Sequence, residues 1–565
     1  MLCFVGSPKN LSLQCLGDVS SPLPGKLFYT APQKRQQDSF VDSRGDEMLI
    51  FEGIVANSSE IMTRYAAANL KDLLWRAALE PEILAQLHGQ YWLLKVRPGS
   101  SDLLAFTSLT NNSRLYYYHS GDTLILSDKI RTILRVLKEN GISYSVDPLG
   151  ARMILSYGFM LEGFSTIKEV RNLPASSQLS FSQGKMQISK YHTLKAEALH
   201  KDPKAVIAEV DHFFSKAVIQ AFSRDVEDQH LAFLSGGLDS RMVVFTAHKH
   251  GFREFDVLNF SEPDYLDHTI ARDIAREMKL DMNFFSLEHG TYLQHIAENL
   301  HYNEAQIVLH GSAHLNQALK SLDAGTYSII HSGQIGAILK GGWLDGAQQG
   351  PADLSKGTYS SKIMNSLIPE LESLRDSYSS HEVFMLLNRG FNALNNGDLA
   401  CYQYSHSLSA FMHPEFLQYS LNIDPALRYR CKIYFEWIRK LHPDAAGHKW
   451  ERTGAKLTDP YLMRKLKYNL WRGSDKILNR ILRRPGRLNM NPFDHWWQSN
   501  PTMQAQLQKE FSCIDEVMNH LDAELAIELK ILRDSSQLSE KMQAYTLAKG
   551  LQYLMEAPAK LCSSA

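Results

Sequence analysis

Six residues, Ser235-Gly236-Gly237-Leu238-Asp239-Ser240, separate the apolar run HLAFL from the apolar run that begins at Met242. Two glycines, two hydroxyls and one acid at such a junction suit one kind of chemistry. Glycines let successive N–H groups face one side and let a ligand approach the backbone closely. A helix opening directly after the turn adds partial positive charge, and the serine hydroxyls add donors. The set is an anion cradle, best suited to phosphates. It lacks the lysine of the GxxxxGKS/T loop and the spacing of GxGxxG, so it is neither of those loops. Asp239 would repel a phosphate unless a cation lay between them. It is therefore assigned to Mg2+, which takes few protein carboxylates and fills its other positions with phosphate oxygens and water. The plainer alternative for Asp239 is a helix cap.

Such a cradle needs a strand before it and a helix after it. Residues 230–234 read as the strand and 241–250 as the helix, closed by Gly251. Further strands are predicted at 255–260, 282–287 and 327–331, with helices at 203–222, 266–279 and 290–300. Alternating strands and helices imply a parallel sheet covered on both faces, with ligands at the carboxyl ends of its strands. Upstream, segments such as MLIFEGIVAN, QYWLLKV and TLILSDK read as strands, and SSQLSFSQG and KMQISKYH meet at Gln183-Gly184 as a hairpin. Helices are expected at 60–78 and 128–139, and from about 355 onward the chain reads as mostly helical. The fold class is α/β: an N-terminal α+β sandwich over 1–195, then a parallel-sheet domain with a helical C-terminal region over 196–565.

The chain has 565 residues, 44% hydrophobic and 21% charged, which allows more than one core. A net charge of −1 provides no global field for nucleic acid. Basic residues gather between Lys456 and Arg487 and are read as a solvated helical face. Six cysteines without CxxC pairs suit a reducing compartment and offer no zinc site. The start MLCFVGSPKN has neither a basic lead nor a long apolar core, and no apolar run reaches the ~20 residues that span a bilayer. The expectation is a cytoplasmic protein without a membrane or nucleic-acid partner.

SGGLDS resembles the pyrophosphate loop of the asparagine synthetase family. Other stretches are similar in the family's order: NSRLYYYHSGDTLILSDKIRTIL, EVRNLPASSQLSFSQGKMQISKYH, NFSEPDYLDHTIARDIAREMKLDMNFFSL and FMHPEFLQYSLNIDPALRYR. The resemblance implies an N-terminal glutaminase-like domain of the Ntn-hydrolase type and a PP-loop synthetase domain. It implies an ATP-dependent ligase: a carboxylate, aspartate or a related acceptor, becomes an acyl-adenylate with release of pyrophosphate, and ammonia or an amine then displaces AMP. ATP and Mg2+ are the implied cofactors, and a homodimer is an option. ATP would lie on Leu234, Ser235, Gly236, Gly237, Asp239, Ser240, Phe260, Ser261, Ser332 and Gly333, with Asp239 on the metal.

The pattern breaks in three places. The family's nucleophilic cysteine is at position 2; here position 2 is Leu2 and the cysteine is Cys3, read as a buried strand residue. The family's NGEIYN turn corresponds to Glu52-Gly53-Ile54-Val55-Ala56-Asn57, and Ile54 cannot bind an amino group. The family's second loop, SGEGADELFGG, corresponds to residues 332–342, where its three acids have become Gln334, Ala337 and Ile338. Asp345 is a substitute ligand to weigh, and Lys340 is read as reaching to solvent. The family's late lysine has two candidates, Lys449 and Lys456; Lys456 and Gln334 are the catalytic candidates. Two alternatives stand beside the ligase: a catalytically impaired nucleotide-binding descendant, and an amide ligase acting on a polysaccharide precursor, since YFEWIRKLHPDAAGHKWERTG resembles relatives from surface-polysaccharide gene clusters.

Overall fold

Three sheets organise the computed structural model, which describes residues 2–555 apart from 9–10, 18–21, 24–25, 31–38, 99, 226–227, 461, 471–472 and 474–489. Two are six-stranded and antiparallel, and both come from the first 190 residues. One runs in the order Val170–Asn172, Tyr116–Ser120, Thr123–Ser127, Leu2–Gly6, Leu27–Tyr29, Pro22–Leu23; the other runs Lys185–Lys190, Ser177–Ser182, Leu103–Thr107, Gly89–Val96, Glu47–Val55, Phe40–Arg44. Alternate residues of each strand face opposite ways. Leu2, Phe4 and Leu126 of one sheet therefore meet Ile50, Trp92, Leu94 and Leu179 of the other in a shared core. The outer faces are covered by helices, Ile130–Glu139 on the first sheet and Leu70–Ala77 on the second. This is the expected α+β sandwich.

The hairpin turns at Gln183 and Gly184, both with positive φ (50° and 76°), as a two-residue turn between right-twisted strands requires. The helix expected over 60–78 is two helices, Ser58–Arg64 and Leu70–Ala77. Ala66 takes a left-handed φ of 51°, and the Asn69 side chain accepts from the Asp72 N–H at 2.9 Å, capping the second helix.

The third sheet has five parallel strands in the order Met282–Ser286, Asp256–Ser261, His230–Phe233, Ile329–Ser332, His406–Ser409. The first strand in sequence, His230–Phe233, lies at the centre, and its successors go to opposite sides. That reversal opens a crevice at its carboxyl end. Helix Pro203–Ser223 begins with Pro203 at its first position, and Asp202 caps the N–H groups of Lys204 and Ala205 at 3.1 and 3.2 Å. Its Val210 and Phe214 are buried; each such side chain stabilises the fold by ~1.5–3 kcal/mol.

Two expectations are corrected here. Residues 288–299 form kinked 3-10 turns rather than one helix, because His289 and Gly290 have φ of 61° and 65°. Gly290 lies against Trp496, whose ring would be 2.6 Å from an added Cβ. The strand His406–Ser409 lies in the region read as helical. It is short, pairs along its length with Ile329–Ser332, and Gln90 Oε1 of the N-terminal sandwich accepts its Ser407 N–H at 3.1 Å. No helix among the described residues is long and apolar enough to cross a membrane. The basic stretch 456–487 falls largely outside the described residues, as does Cys562.

Candidate functional site

The cradle is where the sequence places it, in the crevice beyond His230–Phe233, with helix Asp239–Lys249 opening directly from it. Its polar groups close on one another. Ser235 N–H donates to Ser240 Oγ at 3.1 Å, the two hydroxyls are 2.9 Å apart, and Gly237 N–H donates to Ser235 Oγ at 3.2 Å. Gly236 N–H donates to Asp267 Oδ1 at 2.9 Å, and Asn259 holds the other oxygen of Asp267 at 2.9 Å. Gly236 is pinned between Asp267 and Glu451: an added Cβ would lie 2.9 Å from the Asp267 Cα. The second loop follows Ile329–Ser332 and touches the first. At Gly333 a Cβ would lie 2.5 Å from the Ser240 nitrogen, so only glycine permits this approach.

Two cavities flank the cradle. The larger, about 660 Å³, opens over strand Asp256–Ser261 and includes Leu234, Leu258, Tyr265 and Met490. The smaller, about 410 Å³, opens toward residues 307–315 and 393–397 and includes Asp239, Ser332, Gly333, Gln334 and Lys340. Phe233, Ser235, Ser240, Phe260, Glu451 and Arg452 border both. The two volumes share these six residues and meet at the cradle.

Most of the expected residues gather here. Leu234 borders the larger chamber, Gly237, Asp239, Ser332, Gly333 and Gln334 the smaller, and Ser235, Ser240 and Phe260 both. Ser332 Oγ and Gln334 Oε1 are buried and have no hydrogen-bond partner. Gly236 borders neither chamber; its N–H is engaged by Asp267. Ser261 is fully buried and bonds Asn259 Oδ1 at 3.0 Å, so it braces the strand rather than facing a ligand.

Three expectations are corrected. Lys456 is not at the cradle: it pairs with Lys449 in a short antiparallel bridge, and both line a separate cleft beside Asp273, Glu277 and Asp444. Arg452 faces the chambers instead. Lys340 does not reach out to solvent but forms an ion pair with Asp239, each side chain only about a fifth exposed (21% and 23%). Asp345 is 62% exposed and lies 3.6 Å from His381, away from both chambers.

Asp239 does not fit the role of a metal ligand in this arrangement. One carboxylate oxygen accepts from Tyr434 Oη at 2.8 Å and the other is paired with Lys340. Gly336 backs the same carboxylate so closely that a Cβ there would lie 2.5 Å from its carbon. Among the described residues, no three His, Cys, Asp or Glu side chains come together as a metal cluster.

Sequence reasoning missed Arg241, Asp267, Tyr434, Glu451 and Arg452. Arg241 is fully buried, and its guanidinium donates to the carbonyls of Gly236 (3.0 Å) and Lys449 (2.6 Å). It thereby ties residues 445–449 to the cradle and brings Glu451 N–H to within 3.2 Å of the Gly236 oxygen. Burial, then the nearby Asp267 charge, pushes the Glu451 carboxyl up to about 7, and Asp267 is raised by burial too. The only signal in the chain was adjacency: Arg241 follows the motif directly, and Glu451-Arg452 lie inside the stretch searched for a lysine.

The cysteine end is different. Cys3 is fully buried inside strand Leu2–Gly6, paired with Phe28 on one side and Ser127 on the other. Burial holds its thiol well above the usual range. Ile54 packs with Ala56, Ala221, Ile329 and Leu408, joining the sandwich to the parallel sheet. Glu52 is buried against Tyr402, and its carboxyl is raised to about 7, chiefly by burial. Asn57 accepts the His88 N–H at 2.9 Å and donates to the Gln86 oxygen at 2.8 Å, a structural role.

Residues 209–325 match the family model described as asparagine synthase. This matched segment carries the cradle and the first three strands of the parallel sheet. Over 179 residues the chain is 28% identical to a Methanocaldococcus jannaschii protein named "Putative asparagine synthetase (glutamine-hydrolyzing) 2", a match covering 31% of this chain and 33% of that one. The chain thus spans about a third of the length of the curated relative it matches. Two solved structures are similar at low level. Glutamine phosphoribosylpyrophosphate amidotransferase from B. subtilis, complexed with ADP and GMP, is 11% identical, covering 47% of this chain and 77% of that one, with a TM-score of 0.21. A structure titled as the allosteric regulatory enzyme of purine biosynthesis is 10% identical, covering 43% and 62%, with a TM-score of 0.19. At these scores neither bears on what the chain does.

Proposed function

We propose that the chain is an ATP-dependent, amide-forming ligase. The observation that carries this reading is a phosphate-type cradle at a topological switch point, with open volume toward both neighbouring strands and Arg452 bordering it. The adenosine of ATP occupies the larger chamber beside Phe260, and the phosphates cross Ser235–Ser240 toward Lys340 and Arg452. An acceptor carboxylate enters the smaller chamber. Its oxygen attacks the α-phosphorus, the α–β anhydride bond breaks, and pyrophosphate leaves, stabilised where charge develops. Ammonia or an amine then attacks the acyl carbon, AMP departs, and the nitrogen loses a proton. Glu451 has one buried oxygen without a hydrogen-bond partner and a carboxyl raised to about 7, which suits it to take that proton near neutral pH.

The far wall of the smaller chamber supports one class of acceptor. Ile307, Val308, Leu315 and Leu394 are apolar, and Ser312 and Asn396 are neutral. The charged residues among its described lining are Asp239, Lys340, Glu451 and Arg452, all at the cradle end. A carboxylate with an uncharged body fits this wall better than the doubly charged amino-acid end of aspartate. The engagement of three cradle N–H groups within the protein favours a second reading, nucleotide binding without turnover.

The test follows ATP. The protein is incubated with ATP, Mg2+ and ammonium, with aspartate or with a panel of uncharged-bodied carboxylates, and AMP and pyrophosphate are quantified against ADP. Carboxylate-dependent AMP supports the ligase. ATP that binds but stays intact with every acceptor sinks it in favour of the second reading.

A further inference from the structure

We propose that Lys340 is a phosphate-binding cation built into the chain, and that Asp239 positions it. This rests on the reading that Ser235–Ser240 takes a nucleoside triphosphate. Lys340 ends the short helical turn Ala337–Lys340, and Gly341, at φ 62°, turns the chain away directly after it. Its ammonium lies over the Tyr434 ring, 6.0 Å from the ring centroid. Its head borders the smaller chamber together with Ser235, Ser240 and Gly333.

Three features fix that head in place. Asp239 holds it by one oxygen, Tyr434 Oη fixes the other oxygen at 2.8 Å, and the close approach of Gly336 leaves the carboxylate little room to turn. An ammonium has three N–H donors, so one can serve Asp239 while two remain for a phosphate. The pair also settles the charge problem posed by an acid in a phosphate cradle. Asp239 alone would repel the ligand; Asp239 with Lys340 is neutral overall, and both border the chamber.

The positions around it agree. Ala337 and Ile338 contribute no carboxylate, and Ile338 is fully buried in the apolar core. Lysine here does the work that an acid-held cation would otherwise do, and the only divalent ion the site needs is one that the nucleotide brings itself.

The test is binding, not turnover. The full chain is titrated calorimetrically with ATP in excess EDTA and again in excess Mg2+, and the titrations are repeated with Lys340→Met and Lys340→Arg. Adenosine, which has no phosphates, is titrated as a control for an intact fold. The wild-type chain is expected to bind ATP in EDTA within about threefold of its affinity in Mg2+. Lys340→Met is expected to weaken ATP binding at least tenfold in EDTA without changing adenosine binding, and Lys340→Arg to recover most of the loss. ATP binding that requires Mg2+, or that Lys340→Met leaves unchanged, overturns the inference and leaves the nucleotide reading standing. Failure of ATP to bind in either condition overturns both.

Discussion

The two ends of this molecule that could hold chemistry have met different fates. At Cys3 the reactive atom is fully buried, flanked by strands on both sides, and the neighbouring positions have become packing: Ile54 joins the two halves and Glu52 is locked against Tyr402. At Ser235–Ser240 the polar groups still border open volume, about 410 Å³ on one side and about 660 Å³ on the other. Both regions keep a recognisable pattern in sequence. Among the described residues the cysteine is enclosed while the cradle borders open volume, and burial makes the difference. A thiol without solvent cannot ionise usefully, whereas a serine beside a cavity can exchange its internal hydrogen bond for one to a phosphate.

The contrast can be broken most sharply at Gly333. Gly333→Val should push the two loops apart and lower ATP cleavage by about 100-fold or more, measured as AMP release under saturating ATP. A variant that keeps near-normal turnover would show that the contact between the loops is dispensable. The next effect concerns the inert end and is a matter of pH. Glu52 is held at about 7 when folded, against about 4.3 when unfolded. A carboxyl raised on folding binds its proton more tightly in the native state. Its stabilising contribution is therefore full below the unfolded value and is lost as pH rises toward 7. Glu52→Gln should remove that loss, on the order of 2 kcal/mol, so its Tm should fall less than wild type between pH 5 and pH 8. An unchanged profile would mean that Glu52 is not the group that titrates.

A smaller effect separates two basic residues. Arg452→Ala should weaken ATP use about tenfold, since a partly exposed cation on a phosphate is worth roughly 1–2 kcal/mol. Lys456→Ala, in the separate cleft, should stay within about twofold. The reverse order in steady-state kinetics would restore the sequence-based choice of lysine. The smallest effect is expected at the cysteine: Cys3→Ala should leave ammonium-dependent turnover unchanged and cost ~1 kcal/mol of stability as a small buried hydrophobe. A selective loss of glutamine-dependent turnover would reopen the glutaminase.

Much of the fold was legible because its signals are local. His230–Phe233 and Asp256–Ser261 carry short apolar stretches, Leu231–Phe233 and Val257-Leu258, of the kind a doubly covered parallel strand needs, and Gln183-Gly184 marks its own hairpin. Strand His406–Ser409 was not legible, since its four residues carry no β-strand pattern and its Ser407 N–H is held by Gln90, some three hundred residues earlier. At the break His289-Gly290, Gly290 packs against Trp496, some two hundred residues later, a contact the local pattern does not carry.

The sequence by itself determined the cradle's residues, its strand and its helix, and the family resemblance marked Gln334, Ala337 and Ile338 as positions without their acids. These depend on residue types at fixed short spacings, which survive without coordinates. Only the tertiary structure decided that Lys340 pairs with Asp239, that Arg241 draws Glu451 and Arg452 to the cradle, and that Lys456 belongs elsewhere. The physical reason is the range of the interaction. An ion pair between residues 101 apart, or a guanidinium bridging carbonyls more than two hundred residues apart, leaves no periodic trace in the chain. It exists only when the fold has removed both partners from water and set them within hydrogen-bond reach.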